Sequence, residues 1–381
     1  MKSMIALALA LGVTTLQGQS ITRGYSIPTI DLSADTKRQI IVDRESGQYL
    51  GHPTTVLLED NKTMITVYPK GHGKGGIVMK RSADTGLTWS ERLPVPENWS
   101  SSKEVPTIHR VVDASNKKRL IMWSGLYPAR LAVSEDDGKT WSPLKQAGNW
   151  GGIVVMGCLV DLTIGPGHYM ALFHDDGRFF TEEGKRQDPV EFKLFTTFSK
   201  DGGLTWSFPK TIWQGTDVHL CEPGAIRSPD GKQIAVLLRE NRRVKNSHVI
   251  YTNDEGQSWS VPRELPASLT GDRHTGTYAP DGRLFLSFRD TTLESKTAGD
   301  WVAWVGTYED IVTNKEGQYR VRLMDNHKGK DCAYPGVERL PNGTFICTTY
   351  GHWTEGESPY IASVRLKLSE LDALAKGGQG G

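Results

Sequence analysis

Cysteine is scarce in this chain, with four thiols among 381 residues, too few for a disulfide framework at this size. Neither sign of charge is in excess: 45 Lys and Arg stand against 44 Asp and Glu, a net of +1. That balance removes the broad electrostatic case for nucleic acid or an anionic membrane surface as a partner. CxxC and HExxH spacings are absent, so a zinc site is not indicated and no metal or cofactor is called for. Long apolar runs are missing as well. The nearest to one, Met4 to Val13 behind Lys2, is too short to span a bilayer and sits at the very start. Residues 1–20 therefore read as a secretory signal, which predicts export to the periplasm or beyond.

What the chain does have is tryptophan and glycine, 11 and 41 residues respectively, and a phrase written four times. It reads Ser82-Ala-Asp-Thr-Gly-Leu-Thr-Trp89, then Ser134-Glu-Asp-Asp-Gly-Lys-Thr-Trp141, Ser199-Lys-Asp-Gly-Gly-Leu-Thr-Trp206 and Thr252-Asn-Asp-Glu-Gly-Gln-Ser-Trp259. The offsets suit a tight hairpin turn. The Asp carboxylate accepts backbone N–H bonds, the Gly takes positive φ, and the Trp folds back as an apolar plug. The copies recur at intervals of roughly 50–65 residues, a period of propeller blades rather than of short solenoid repeats.

A second pattern recurs six times: an apolar strand, a turn with Asp or Asn, then a more hydrophobic strand. Its copies begin near His52, Pro106, Gly157, Glu222, His274 and Tyr334. Six hairpins predict an all-β, six-bladed β-propeller over residues 21–370, with 371–381 a flexible tail and residues 21–45 supplying a lead-in strand that helps close the ring. In such a ring the innermost strands all start at one end of the channel. The strand starts and the loops after the second strands then converge on one surface. That geometry gathers His52, His109, Glu222, Arg273, His274 and Tyr334 with His72, His174, Asp175, Arg178, Arg239 and Arg289. A structural propeller has no need of so many ionisable groups at one rim.

The repeated phrase resembles the Asp-box of the sialidase superfamily, which there joins the third and fourth strands of a blade. The resemblance implies a Tyr nucleophile paired with a Glu, an exception to the two-carboxylate glycosidase scheme. Glu222-Pro-Gly, with Arg239 after the next strand, looks like the family's Glu-Pro strand, and Asp331-Cys-Ala-Tyr334 looks like the strand that carries the nucleophile. Arg289 in Ser-Phe-Arg-Asp matches the blade-five arginine, with Arg273 competing for that role.

Two features depart from the family. Its first-blade Arg-Ile-Pro appears as Gly51-His52-Pro53, so one arginine of the carboxylate-binding trio is missing. The loop that supplies its general acid reads Tyr68-Pro-Lys-Gly-His72-Gly-Lys-Gly, without an Asp. The resulting expectation is a secreted exo-acting glycoside hydrolase with an acidic or rare sugar as substrate. Tyr334 and Glu222 form its nucleophile pair and His52 or Asp175 its acid/base. Arg239, Arg289, Arg273, His72, His109, His274, His174 and Arg178 contact the glycan. Two alternatives stay open: a polysaccharide lyase using His and Tyr on a uronate, and a non-catalytic glycan-binding propeller.

Overall fold

The computed structural model describes residues 21–179 and 189–377; the signal-like stretch 1–20 and the end of the expected tail, 378–381, lie outside them. The described part of that tail is not flexible coil but helix, Leu368–Gly377, anchored by the buried Leu371. The described residues form six sheets. Their innermost strands are Thr54–Leu57, Thr107–Val112, Ile153–Asp161, Leu220–Arg227, Gly271–Tyr278 and Gly336–Arg339. Each of these touches the next, and the last touches the first, so the ring closes as a six-bladed propeller.

The second strands, Met64–Pro69, Lys118–Ser124, Tyr169–Asp175, Ile234–Glu240, Leu284–Asp290 and Phe345–Gly351, carry the cores between blades. Four of them are buried at every position. Both faces of a blade are covered by its neighbours, so these strands read as unbroken hydrophobic runs instead of alternating. Blade six takes its outermost strand from Gln39–Asp43, which pairs antiparallel with Tyr360–Leu366. Blade five gains an extra strand, Thr29–Asp31, parallel to Tyr319–Met324.

The repeated turn forms as its chemistry requires. Asp84 accepts from Thr88 N at 2.9 Å and from Thr88 Oγ1 at 2.6 Å, while Ser82 Oγ accepts from Gly86 N at 2.8 Å. Gly86, Gly138, Gly203 and Gly256 all have positive φ, from 76° to 86°. The four tryptophans pack back against the inter-blade cores. In blade one the turn is not followed by a fourth strand, for that sheet has three strands among the described residues. Blades five and six lack the phrase. Blade five uses instead a short helix, Tyr308–Val312, started by a capping box between Thr307 and Asp310.

Candidate active site

The starts of the innermost strands share a backbone device. His52, Glu222, Arg273 and Ala333, at or just before the first strands of blades one, four, five and six, all sit in the left-handed region with φ of 53°, 51°, 58° and 55°. For a non-glycine residue that conformation costs about 1–3 kcal/mol and persists only where surroundings enforce it. The strand register shifts at the same places, between Cys221 and Gly224 and between Asp272 and Thr275. Each kink breaks the in-out alternation of a strand, so consecutive side chains turn to separate tasks.

A cavity of about 580 Å³ opens above the ring axis, lined by His52, His72, His174, Glu222, Arg239 and Tyr334 among others. At its floor the Tyr334 hydroxyl donates to Glu222 Oε1. Arg239 Nη1 donates to the same carboxylate oxygen at 2.5 Å and lies 3.2 Å from the Tyr334 hydroxyl. Burial opposes ionisation of Glu222, yet Arg239 and Arg289 and the Tyr334 hydrogen bond outweigh it and hold the carboxyl below its usual range. Burial and the neighbouring Glu222 carboxylate push the Tyr334 phenol far above its ordinary value. The resting pair is therefore phenol and carboxylate, and a proton leaving Tyr334 has an acceptor already bonded to it.

Below that pair lies a carboxylate that no family motif pointed to. Asp272 is fully buried and receives Arg289 at 2.8 Å (Nε) and 2.6 Å (Nη2), Arg243 Nη2 at 2.7 Å and Arg239 Nε at 3.3 Å. Against the cost of burial, these three guanidiniums hold Asp272 far below the ordinary carboxylate range. The remaining arms are committed too. Arg239 Nη2 donates to Asn241 at 2.5 Å, and Arg289 Nη1 donates to Lys330 O. Arg289 does not line the cavity; its guanidinium sits 5.4 Å from the Tyr334 ring centroid.

His52 occupies the strand start where the family resemblance places an arginine. Its Nδ1 accepts from Gly73 N at 3.1 Å and its Nε2 faces the Tyr350 hydroxyl at 3.3 Å. Both nitrogens are engaged, and burial together with His72 and Arg289 pushes the imidazole well below its usual range. Its ring lies 4.5 Å from Tyr334 and 4.8 Å from His72. Behind these rings stands Asp331. It accepts from Tyr49 at 2.7 Å and Tyr350 at 3.2 Å, and His352 Nε2 lies 3.1 Å from its second oxygen.

Other residues named from the sequence fall elsewhere. Asp175 Oδ1 accepts from Phe179 N at 3.0 Å, and the side chain is not part of the cavity wall. The strand turns Asp175 away and brings Asp176 to the cavity instead, where Arg178 Nε meets it at 2.8 Å. Arg273, His109 and His274 line a separate space of about 190 Å³ in the channel between the innermost strands, not the mouth to which the strand-start argument assigned them. The left-handed kink at Arg273 sends its side chain down while Asp272 stays with the arginines. Burial pushes His109 down to about 3 and His274 to about 4, so both are neutral there. His174 does reach the cavity, where its Nδ1 accepts from Glu222 N at 3.3 Å and fixes that kinked backbone. Asp272, Asp331 and Tyr49 were not singled out from sequence. Each sits one to three residues before a named site residue (Arg273, Tyr334, His52), and that adjacency was the signal available.

Six blades closed into a ring define a propeller of sialidase-like fold. Residues 118–347 match the family model described as BNR repeat-like domain, and the chain belongs to that family. No curated protein matches it by sequence. Among solved structures, a protein of unknown function from Dyadobacter fermentans is 15% identical, with 87% of this chain and 98% of that one covered at a TM-score of 0.68. A leech intramolecular trans-sialidase complexed with 2,7-anhydro-Neu5Ac is 14% identical, over 85% and 69% of the two chains, at 0.60. An intramolecular trans-sialidase from Ruminococcus gnavus is 13% identical over 85% and 95%, at 0.58. At such identities the likeness is one of fold.

Proposed function

We propose that this protein is an exported, retaining exo-glycosidase that removes a terminal acidic or rare sugar from a glycan. The observation that carries the reading is the contact of the Tyr334 hydroxyl with Glu222 Oε1, with Arg239 bonded to both. Tyr334 attacks the anomeric carbon while its proton passes to Glu222, and water then releases the sugar with its original configuration. A neutral phenol suits an anionic sugar, which repels a carboxylate nucleophile. The sugar is one that needs no three-arginine clamp, because Arg239 and Arg289 are bound to Asp272 and His52 stands at the third position. Incubation with a panel of 4-methylumbelliferyl glycosides and acidic glycans, followed by proton NMR of the fresh product, tests this. Release of one terminal sugar with retention is expected; inversion at the anomeric carbon is incompatible with it. Export is read from residues 1–20, and a mature N-terminus close after them in a secreting host is the check.

A polysaccharide lyase is the second reading, favoured by the contacts of His52, His72, Tyr49 and Tyr350 with one another. It requires an ultraviolet-absorbing unsaturated uronate as product. A glycan retained without any product leaves a binding propeller.

A further inference from the structure

The hydrolase reading lacks a proton donor for the departing sugar oxygen, and His72 on the cavity wall is placed to supply one. His72 lies on the loop after the second strand of blade one and lines the cavity. Its side chain is 66% exposed, yet one end of the ring is held. Nδ1 lies 2.7 Å from the Tyr49 hydroxyl and 3.4 Å from Asp331 Oδ1. Tyr49 gives its own proton to Asp331 at 2.7 Å, so its oxygen turns a lone pair toward His72. Both neighbours of Nδ1 are acceptors, and the proton of the neutral ring belongs there. Nε2, which has no hydrogen-bond partner among the described residues, keeps its lone pair for the cavity.

The loop is shaped to keep that pose. Lys70 N bonds Gly76 O at 2.9 Å and Gly75 N bonds Ser102 O at 3.2 Å. Gly75 has φ of 115°, and a Cβ there would lie 2.6 Å from Lys70 O.

Four other titratable groups at the mouth are held by their bonds. Glu104 Oε1 accepts from Val105 N at 2.9 Å. His52 has both nitrogens engaged. His174, its Nδ1 taken by the Glu222 amide, keeps its proton on Nε2 and cannot accept another there; burial pushes it down to about 4. Asp176 is paired with Arg178.

We propose that His72 is the catalytic acid/base of this cavity, with Asp331 and Tyr49 as the residues that position it; the inference rests on the Tyr334–Glu222 reading above. In the first step the Tyr334 oxygen bonds to the anomeric carbon and the Tyr334 proton passes to Glu222. The bond from that carbon to the leaving oxygen breaks, and imidazolium Nε2–H protonates it. In the second step water gives a proton to Nε2 and its oxygen bonds to the anomeric carbon. The phenolate departs and recovers its proton from Glu222. The sum is glycoside plus water giving free sugar plus alcohol.

Two measurements test it. Nitrogen-15 NMR of histidine-labelled protein, with the His72 signals assigned from His72→Gln, should show the Nδ1–H tautomer, displaced toward Nε2–H in Asp331→Asn. A wild-type Nε2–H tautomer overturns the proposal. In kinetics, His72→Ala should lose about 10²–10⁴-fold in kcat/KM on an oligosaccharide. On a 4-methylumbelliferyl glycoside, whose leaving group needs no acid, the loss should be far smaller, and azide should rescue turnover by forming the glycosyl azide. Equal losses on both substrates without azide rescue overturn the proposal while leaving the nucleophile pair standing. A wild-type protein that hydrolyses no member of the glycoside panel sinks the underlying reading and this inference with it.

Discussion

Tyr334 and Glu222, separated by 112 residues of chain, meet through a single hydrogen bond from phenol to carboxylate. Blades four and six supply one partner each, and Arg239 joins them by bonding to both. Loss of the phenol should abolish the chemistry without unfolding the protein. Tyr334→Phe is expected to lower kcat/KM by about 10³-fold or more, as removal of a covalent nucleophile does. Stability should fall by only about 0.5–1.5 kcal/mol, because Glu222 keeps Arg239. Steady-state rates beside a urea unfolding curve separate the two effects, and full turnover in the variant would end the nucleophile assignment.

Asp272 holds three guanidiniums together, so Asp272→Asn should be among the most destabilising conservative changes in the chain. Breaking one side of a buried ionic cluster costs about 3–5 kcal/mol. The pH dependence follows from the depressed acidity of Asp272. Its stabilisation is complete above the unfolded carboxyl range and is lost as pH falls toward the much lower folded value. Wild-type stability should therefore decline from about pH 5 downward. Asp272→Asn, already destabilised at neutral pH, should show a shallower acid limb, and unfolding curves at a series of pH values give that slope.

Glu338 should behave in the opposite sense. It lies in the channel between the first strands of blades six and one, where Thr55 Oγ1 donates to it at 2.9 Å. Burial outweighs that bond and pushes the carboxyl up to about 7. A raised acid favours the folded state at low pH and loses that advantage as pH rises through about 7. Glu338→Gln should gain up to about 3 kcal/mol over wild type at pH 8 and little or nothing at pH 4. An unchanged difference across that range would contradict it.

Asp136 belongs to a repeated turn on the third strand of blade two, away from the cavity. Its carboxylate accepts from Thr140 N at 2.8 Å and Thr140 Oγ1 at 2.6 Å. Asp136→Ala should cost about 1–3 kcal/mol of stability and leave kcat/KM unchanged, which thermal unfolding and a rate assay measure together.

The ring and its blade count were legible because each blade repeats one local cue, a turn between two strands, and local cues survive in a linear text. Glu222, Tyr334 and Arg239 converge at the mouth because a strand start and a loop after a second strand have fixed places in any blade. The kinks were not legible. A left-handed residue at Arg273 reverses which of two neighbours faces the site, and nothing in the letters Asp-Arg-His announces it. Asp175 and Asp176 show the same limit, since which carboxylate reaches the cavity depends on one residue of register. Partnership was equally hidden. Arg239 and Arg289 read as free anion binders until the buried Asp272 appeared between them.

The strand Gln39–Asp43 seals blade six against Tyr360–Leu366, so the circle is stitched by a strand that precedes blade one in sequence and one that follows the other five blades. During translation five blades can gather in order, but the sixth waits for the strand Tyr360–Leu366. Tyr334 belongs to that late blade and Glu222 to a middle one, so the two should not meet on a polypeptide cut before Tyr360. Closure of the ring and the meeting of Tyr334 with Glu222 should be one event.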